Sequence, residues 1–407
     1  MPRRFFDGVD TWVGYNGDSI PVIIDDPTPF ALGFPIFSSA DISVWNTGQD
    51  KYIDLRDSTL GDVSRTITDL GTGITTTTER DRFRVDCQFA LIQAILGQAD
   101  PTTRTARWAK VQEVINACDT VTSYTSQSGQ DNLVAGWFIP SLCAAAKIIG
   151  YQPGDNSGFE YFLRNVVHPM LDWTTGGNWF LSFWDARGCI AALLKDETLW
   201  ADFRAYGLFH LPQVWYHPTY DGLEVTPCRN GVWPAKAAGS INTTRTVVQW
   251  GNVSGSLPLI DTSLVAEWDP GSPSNGTPFP PGMNCEELRD ISHITFSCAA
   301  AVHALMTIEA QNDDVSADEY ERVLEGCNRH ATKVLNYINS GFTTISPTPV
   351  GGSGGGGYRF GWAPIKRYFR SDANADVDTL MGLSHIVDFD VDGDLHMVAE
   401  MVAYRSI

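Results

Sequence analysis

The chain has 407 residues, 43% hydrophobic and 19% charged, with a formal net charge of −20. That balance suits a soluble globular protein with a large core and argues against nucleic-acid binding, which leaves a basic footprint. No apolar run is long enough for a transmembrane helix, so no membrane partner is expected.

An acidic chain can still bind a polyanion where its few cations converge in one groove. The start, Met1-Pro2-Arg3-Arg4-Phe5-Phe6, lacks the apolar core of a signal peptide. Three glycosylation sequons, at Asn242, Asn252 and Asn275, fall in one loop-like region and favour a secreted protein. None of the eight cysteines belongs to a C-x-x-C pair, which disfavours structural zinc. Most sit in apolar helical patterns as buried thiols. Cys228 and Cys285 sit in irregular sequence, where a disulfide would tie down the intervening loop.

Residues 1–80 read as an irregular N-terminal arm, rich in Gly, Pro, Asp and Thr. From Asp81 the pattern changes. Segments 81–97, 104–119, 131–150, 158–171, 178–195 and 197–209 have helical spacing or near-continuous apolar character. Residues 210–285 form a long stretch dense in Pro, Gly, Asn and aromatics, of the kind that is usually functional. Helices resume at 286–311 and 316–340, followed by a glycine run, 351–357, and a C-terminal segment to 407. Consecutive helices with short connections predict stacked antiparallel hairpins. Helix 178–195 is apolar nearly all round, as a helix buried on both sides must be. The expectation is a mainly all-α single domain, 1–407. Its α/α toroid core spans 81–340, 210–285 is a cleft loop, and 341–407 is a C-terminal segment.

Helix 286–311 carries the sharpest chemical pattern. Leu288, Ile291, Cys298, Val302 and Leu305 make an apolar stripe, and Glu286, Arg289, His293 and Phe296 make a second one roughly opposite. A surface Glu286–Arg289 pair beside an incidental histidine is the plain reading. A cation one turn from an imidazole also fits β-elimination of a uronate. There the C5 proton becomes removable once the C6 carboxylate is neutralised, and a base and an acid complete the step. Arginine suits the carboxylate, and histidine can donate or accept a proton near neutral pH. Asn178 opens the buried helix, either as an N-cap or as an amide donor to that carboxylate. Beside it, Trp179 is either core or a surface for stacking a sugar.

The segments Gly177-Asn178-Trp179, Ala191-Ala192-Leu193-Leu194-Lys195-Asp196 and Asn284-Cys285-Glu286-Glu287-Leu288-Arg289-Asp290-Ile291-Ser292-His293 resemble the alginate lyase superfamily of polysaccharide lyases over roughly residues 80–340. The resemblance implies an α/α toroid with no obligatory metal or other cofactor. Its substrate would be an acidic polysaccharide or oligouronate, 1,4-linked and cleaved to unsaturated ends. Asn178, Arg289 and His293 would neutralise or position the carboxylate. The family's tyrosine, acid and often base, follows the arginine by seven residues, where this chain has Phe296. Phenylalanine transfers no proton. Either His293 or a nearby tyrosine (Tyr216, Tyr220 or Tyr358) does so, or the tyrosine's counterpart lies a helical turn away, or Phe296 replaces a tyrosine so as to trap substrate.

Two further segments bear on binding. Tyr358, Arg359, Lys366 and Arg367 belong to the most basic stretch, where cations interleave with aromatics; it reads as a solvated helix or as a rim for uronates. Tyr216, His217 and Tyr220 form an aromatic cluster suited to lining a cleft. Asp388, Asp390 and Asp392 begin like a calcium loop, but the twelfth position is Ala399 and Glu400 comes one residue late, so the stretch reads mainly as a solvated acidic loop. The rivals are a glycoside hydrolase on a similar toroid, for which Glu286, Glu287, Asp185 and Asp290 supply carboxylates but no distinctive spacing, and a non-catalytic acidic-polysaccharide-binding protein, favoured by Phe296.

Overall fold

The computed structural model describes residues 11–13, 19–21, 50–125, 130–171, 178–221, 280–284, 291–339 and 362–383. Short strands β1 (Thr11–Val13) and β2 (Ser19–Pro21) pair antiparallel, and β3 (Gly73–Ile74) pairs parallel with β4 (Ser123–Tyr124). The rest is helical. After α1 (Asp50–Asp57) come α2 (Thr77–Ala99), α3 (Arg104–Ala117) and α4 (Gln130–Ile148). α5 (Ser157–Tyr161) widens into a π-helical stretch (Phe162–Val167) and ends in the turn His168–Met170. Then follow α6 (Asn178–Leu194), α7 (Glu197–Val214), α8 (Pro218–Asp221), α9 (Ile291–Ala310), α10 (Ala317–Asn339), α11 (Trp362–Phe369) and α12 (Ala375–Leu383).

Burial sorts these helices into two layers. Every residue of α6 from Phe180 to Leu194 is buried, as the all-round apolar pattern requires, and α9 is nearly the same. α3 buries only Arg107, Val111, Val114 and Ile115, a single stripe. The inner helices α2, α4, α6 and α9 pack side by side in that order. The outer helices α3, α7 and α10 each cover the inner helix that precedes them, and α11 and α12 extend the layers against α9 and α10. This is an α/α toroid built of hairpins.

Cross-links show that the inner helices run parallel. Arg80 and Asp131, in the first turns of α2 and α4, form an ion pair. Near the starts of α4 and α6, Trp137 Nε1 donates to Ser182 Oγ at 3.1 Å. Trp200, at the start of α7, donates to Asp313 just beyond the end of α9, so α6 and α9 finish at the same end. Thr295, in the first turns of α9, contacts His330, which stacks on Trp362, the first residue of α11.

One consequence is an asymmetry of connections. Inner-to-outer turns are short: 100–103, 149–156, 195–196, 311–316 and 370–374. Outer-to-inner connections include the long segments 215–290 and 340–361, and all lead to the end where inner helices begin. At the short-turn end, Gly150 (φ 88°), Lys195 (φ 49°) and Asn312 (φ 57°) follow α4, α6 and α9 in left-handed conformation, which stops a helix and turns the chain back.

α7 runs to Val214, so the helix persists beyond the expected boundary at 209. Pro212 stands inside its last turn, and the helix continues past it, with Trp215 N donating to the Leu211 carbonyl. The π-helical stretch lies just before Pro169, whose ring cannot sit against the carbonyl four residues back and widens the preceding turn. Cys87, Cys118, Cys143, Cys189, Cys298 and Cys327 are buried and belong to no disulfide. Cys228 and Cys285, whose disulfide would tie down the loop between them, lie outside the described residues, as does most of the N-terminal arm. Among the described residues, no helix is long and apolar enough to cross a membrane.

Candidate functional site

Asn178 is the first residue of α6, and His293 lies in the first turn of α9. Because those helices are adjacent and parallel, both backbone positions come to the same end of the ring. Phe296 is one turn further along α9. Arg289 lies outside the described residues, two positions before α9 begins. It is bracketed by two fixed points: buried Asn284, bridged to Trp215, and Ile291.

The same end collects inner-helix starts together with the ends of the outer helices α3, α7 and α10. α2, α4, α6, α9 and α11 all begin there. A helix start carries roughly half a positive charge and suits an anion locally, although at α2 a Thr76–Glu79 capping box already occupies it. The far end collects the carbonyl ends of the inner helices. Any preference for a carboxylate is therefore local to an inner-helix start, in a chain of net charge −20.

Partly buried aromatic rings stand close to Asn178. Trp179 meets Phe183 edge-on at 6.1 Å. Trp137, held by Ser182, lies one helix over on α4. Beneath the start of α9, Thr295 Oγ1 is 2.7 Å from His330 Nε2, and His330 stacks on Trp362 with ring centroids 5.7 Å apart. All three are buried and brace the turn that carries His293 and Phe296. Sequence spacing missed Trp137, Thr295 and His330, because their partners come from other helices. A buried threonine facing an outer-helix histidine leaves no local pattern.

A second polar cluster lies deeper. His303 Nδ1 is 3.3 Å from Asp185 Oδ2, both fully buried between α6 and α9, and Cys189 Sγ donates to Asp185 Oδ1. This pair ties the two site-bearing helices together. It commits Asp185, one of the carboxylates available to a hydrolase, to a core interaction.

The aromatic segment after α7 lies against α10, an outer helix. Tyr216 is fully buried, so its ring presents no face to solvent. His217 is nearly so, and burial first, then Arg322, lowers its pKa, with nearby Glu321 opposing. Tyr220 is exposed and donates to Glu321 at 2.7 Å. Lys366, on α11, pairs with Asp378 on α12. Arg367 lies on the same short helix. Tyr358 and Arg359, and the acidic run with Asp388, Asp390 and Asp392, lie outside the described residues. Among the described residues no group of three His, Cys, Asp or Glu is placed to hold a metal ion.

No family model matches the chain, and no curated protein matches it in sequence. Solved structures do. Alginate lyase A1-III from Sphingomonas species A1 superposes with a TM-score of 0.54 at 12% identity, over 93% of this chain and 99% of that one. A histidine-to-alanine variant of alginate lyase A1-III, complexed with a tetrasaccharide, gives 0.52 at 12% identity, over 94% and 97%. The likeness spans nearly all of both chains and shows a shared toroid fold, the architecture that the sequence resemblance implies.

Proposed function

We propose that the chain is a secreted polysaccharide lyase that cleaves a 1,4-linked uronate polymer, such as polymannuronate or glucuronan, by β-elimination. The observation that carries this reading is the convergence of inner-helix starts. It brings the Asn178 and His293 positions to one end of the ring, with Arg289 two residues before the second helix. The likeness to alginate lyase A1-III, one structure of which holds a tetrasaccharide, supports it.

In this reading Arg289 and Asn178 bind the C6 carboxylate and stabilise the charge that develops as C5 loses its proton. His293, with Phe296 unable to act, takes that proton or delivers one to the leaving O4. Trp179 stacks on a neighbouring sugar ring. The electron pair left at C5 forms the C4–C5 double bond as the C4–O4 bond breaks.

The test is incubation with a panel of polyuronates while following ultraviolet absorbance of the conjugated product. New absorbance on at least one uronan is expected. Reducing ends released without absorbance would indicate hydrolysis and overturn the elimination mechanism. Phe296 favours one second reading, a protein that binds acidic polysaccharide without cleaving it. Phe296→Tyr separates the two: a large gain in turnover on a bound uronan marks a site that lacks only its proton-transfer group.

A further inference from the structure

One side chain fastens to α10 the entry side of the 58 residues that separate Asp221 from Pro280. Arg322, on α10, is buried, with 1% of its surface exposed. Its Nη1 donates to the Trp215 carbonyl and to Asp221 Oδ2, both at 2.6 Å, and its Nη2 donates to Asp221 Oδ1 at 3.0 Å. Asp318, one turn earlier on α10, accepts from Nε at 2.9 Å. The guanidinium therefore spends its planar fork on the entry side of the segment.

The entry side then grips the exit side. Tyr216 N donates to the Met283 carbonyl and Gly282 N to the Tyr216 carbonyl, each at 2.9 Å. Trp215 bridges antiparallel to Asn284. Gly282 (φ 72°) lies so close to the Glu325 and Gly326 backbone that a Cβ would meet Glu325 at 2.3 Å, and the Trp215 indole covers Gly326. Nothing larger than glycine fits either position without displacing the ladder. From Asn284, only 285–290 separate this ladder from α9, and Arg289 is among them.

We infer that Arg322 is a positioning residue: it staples the base of the 222–279 segment to α10, and the stapled ladder fixes where the chain re-enters the ring at the start of α9, two residues after Arg289 in sequence. This rests on the reading that Arg289 binds the uronate carboxylate. The staple itself stands on the observed hydrogen bonds. Lysine at 322 keeps the charge but cannot serve the Trp215 carbonyl and both Asp221 oxygens together.

The experiment compares amide hydrogen exchange and steady-state kinetics in the full chain and in Arg322→Lys. Asp221→Asn serves as a second variant should Arg322→Lys fail to fold. Exchange at Tyr216 and Gly282 is expected to quicken roughly tenfold or more, with α4 amides unchanged. kcat on the best uronan should fall more than KM rises. A uniform quickening across all helices would mark Arg322 as a general stabiliser and overturn the inference, as would unchanged exchange at Tyr216 and Gly282. Faster local exchange with wild-type kcat would overturn the positioning role. A wild-type chain inert on every uronan would fail the lyase reading and with it the role of Arg289, while exchange would still decide the staple.

Discussion

Removing the guanidinium in Arg289→Ala, in a background that turns over, is expected to slow double-bond formation by about 10²–10³-fold, because one preorganised contact to developing charge is worth about 3–4 kcal/mol. Near-normal turnover in a folded variant would take Arg289 out of the mechanism. His217 has a separate signature. Its pKa in the folded chain is below the ordinary value, chiefly through burial. Such a group contributes stability that is fully present above its unfolded pKa, about 6.5. That stability is lost as pH falls through the lower folded value. Urea midpoints measured across that window should drop with acidification in the wild type and drop less in His217→Gln. That His293 and Phe296 share one helix could be read from sequence, because three-residue spacing is itself a helical fact. The His330 and Trp362 support for their helix could not, since it joins elements dozens of residues apart.

Among the helices, α6 and α9 are held together by apolar contact and by one polar pair. Asp185→Ala would leave the His303 ring without its carboxylate in a dry interface, and a loss of about 3–5 kcal/mol is expected from denaturant unfolding. An equal loss in a His303→Ala/Asp185→Ala double variant and in each single variant would confirm that the two act as a pair. The turns that close the hairpins make a finer test. Gly150 adopts φ 88° after α4, so Gly150→Ala should cost about 1–2 kcal/mol. Asn312→Gly, at φ 57° after α9, should cost nothing or stabilise slightly. The three equivalent turns use glycine, lysine and asparagine, so the repeat was invisible in sequence even though its helices were plain. Continuous apolar character identified α6 as a buried helix because no surface helix can carry it. It could not place the end of α7, where Pro212 reads as a breaker yet the helix runs on to Val214.

Viewed whole, a chain of charge −20 opposes a polyanion at long range, while the starts of α6 and α9 favour a carboxylate at short range. Raising salt from about 10 to 100 mM shortens the Debye length from about 30 to 10 Å. This screens the repulsion before it screens the close contacts. KM for a long uronan should therefore fall over that interval; a steady rise would mean that distant cations dominate capture. The asymmetry between short and long connections has a consequence for how the chain assembles. Each inner helix meets its outer partner across a turn of two to eight residues, so those contacts are local and close at little entropic cost. α6 and α7, joined by Lys195 and Asp196 alone, should be among the first pairs to protect their amides during refolding. The long segments enter only when preformed hairpins dock, and the mouth of the ring is then the last part of the molecule to exist.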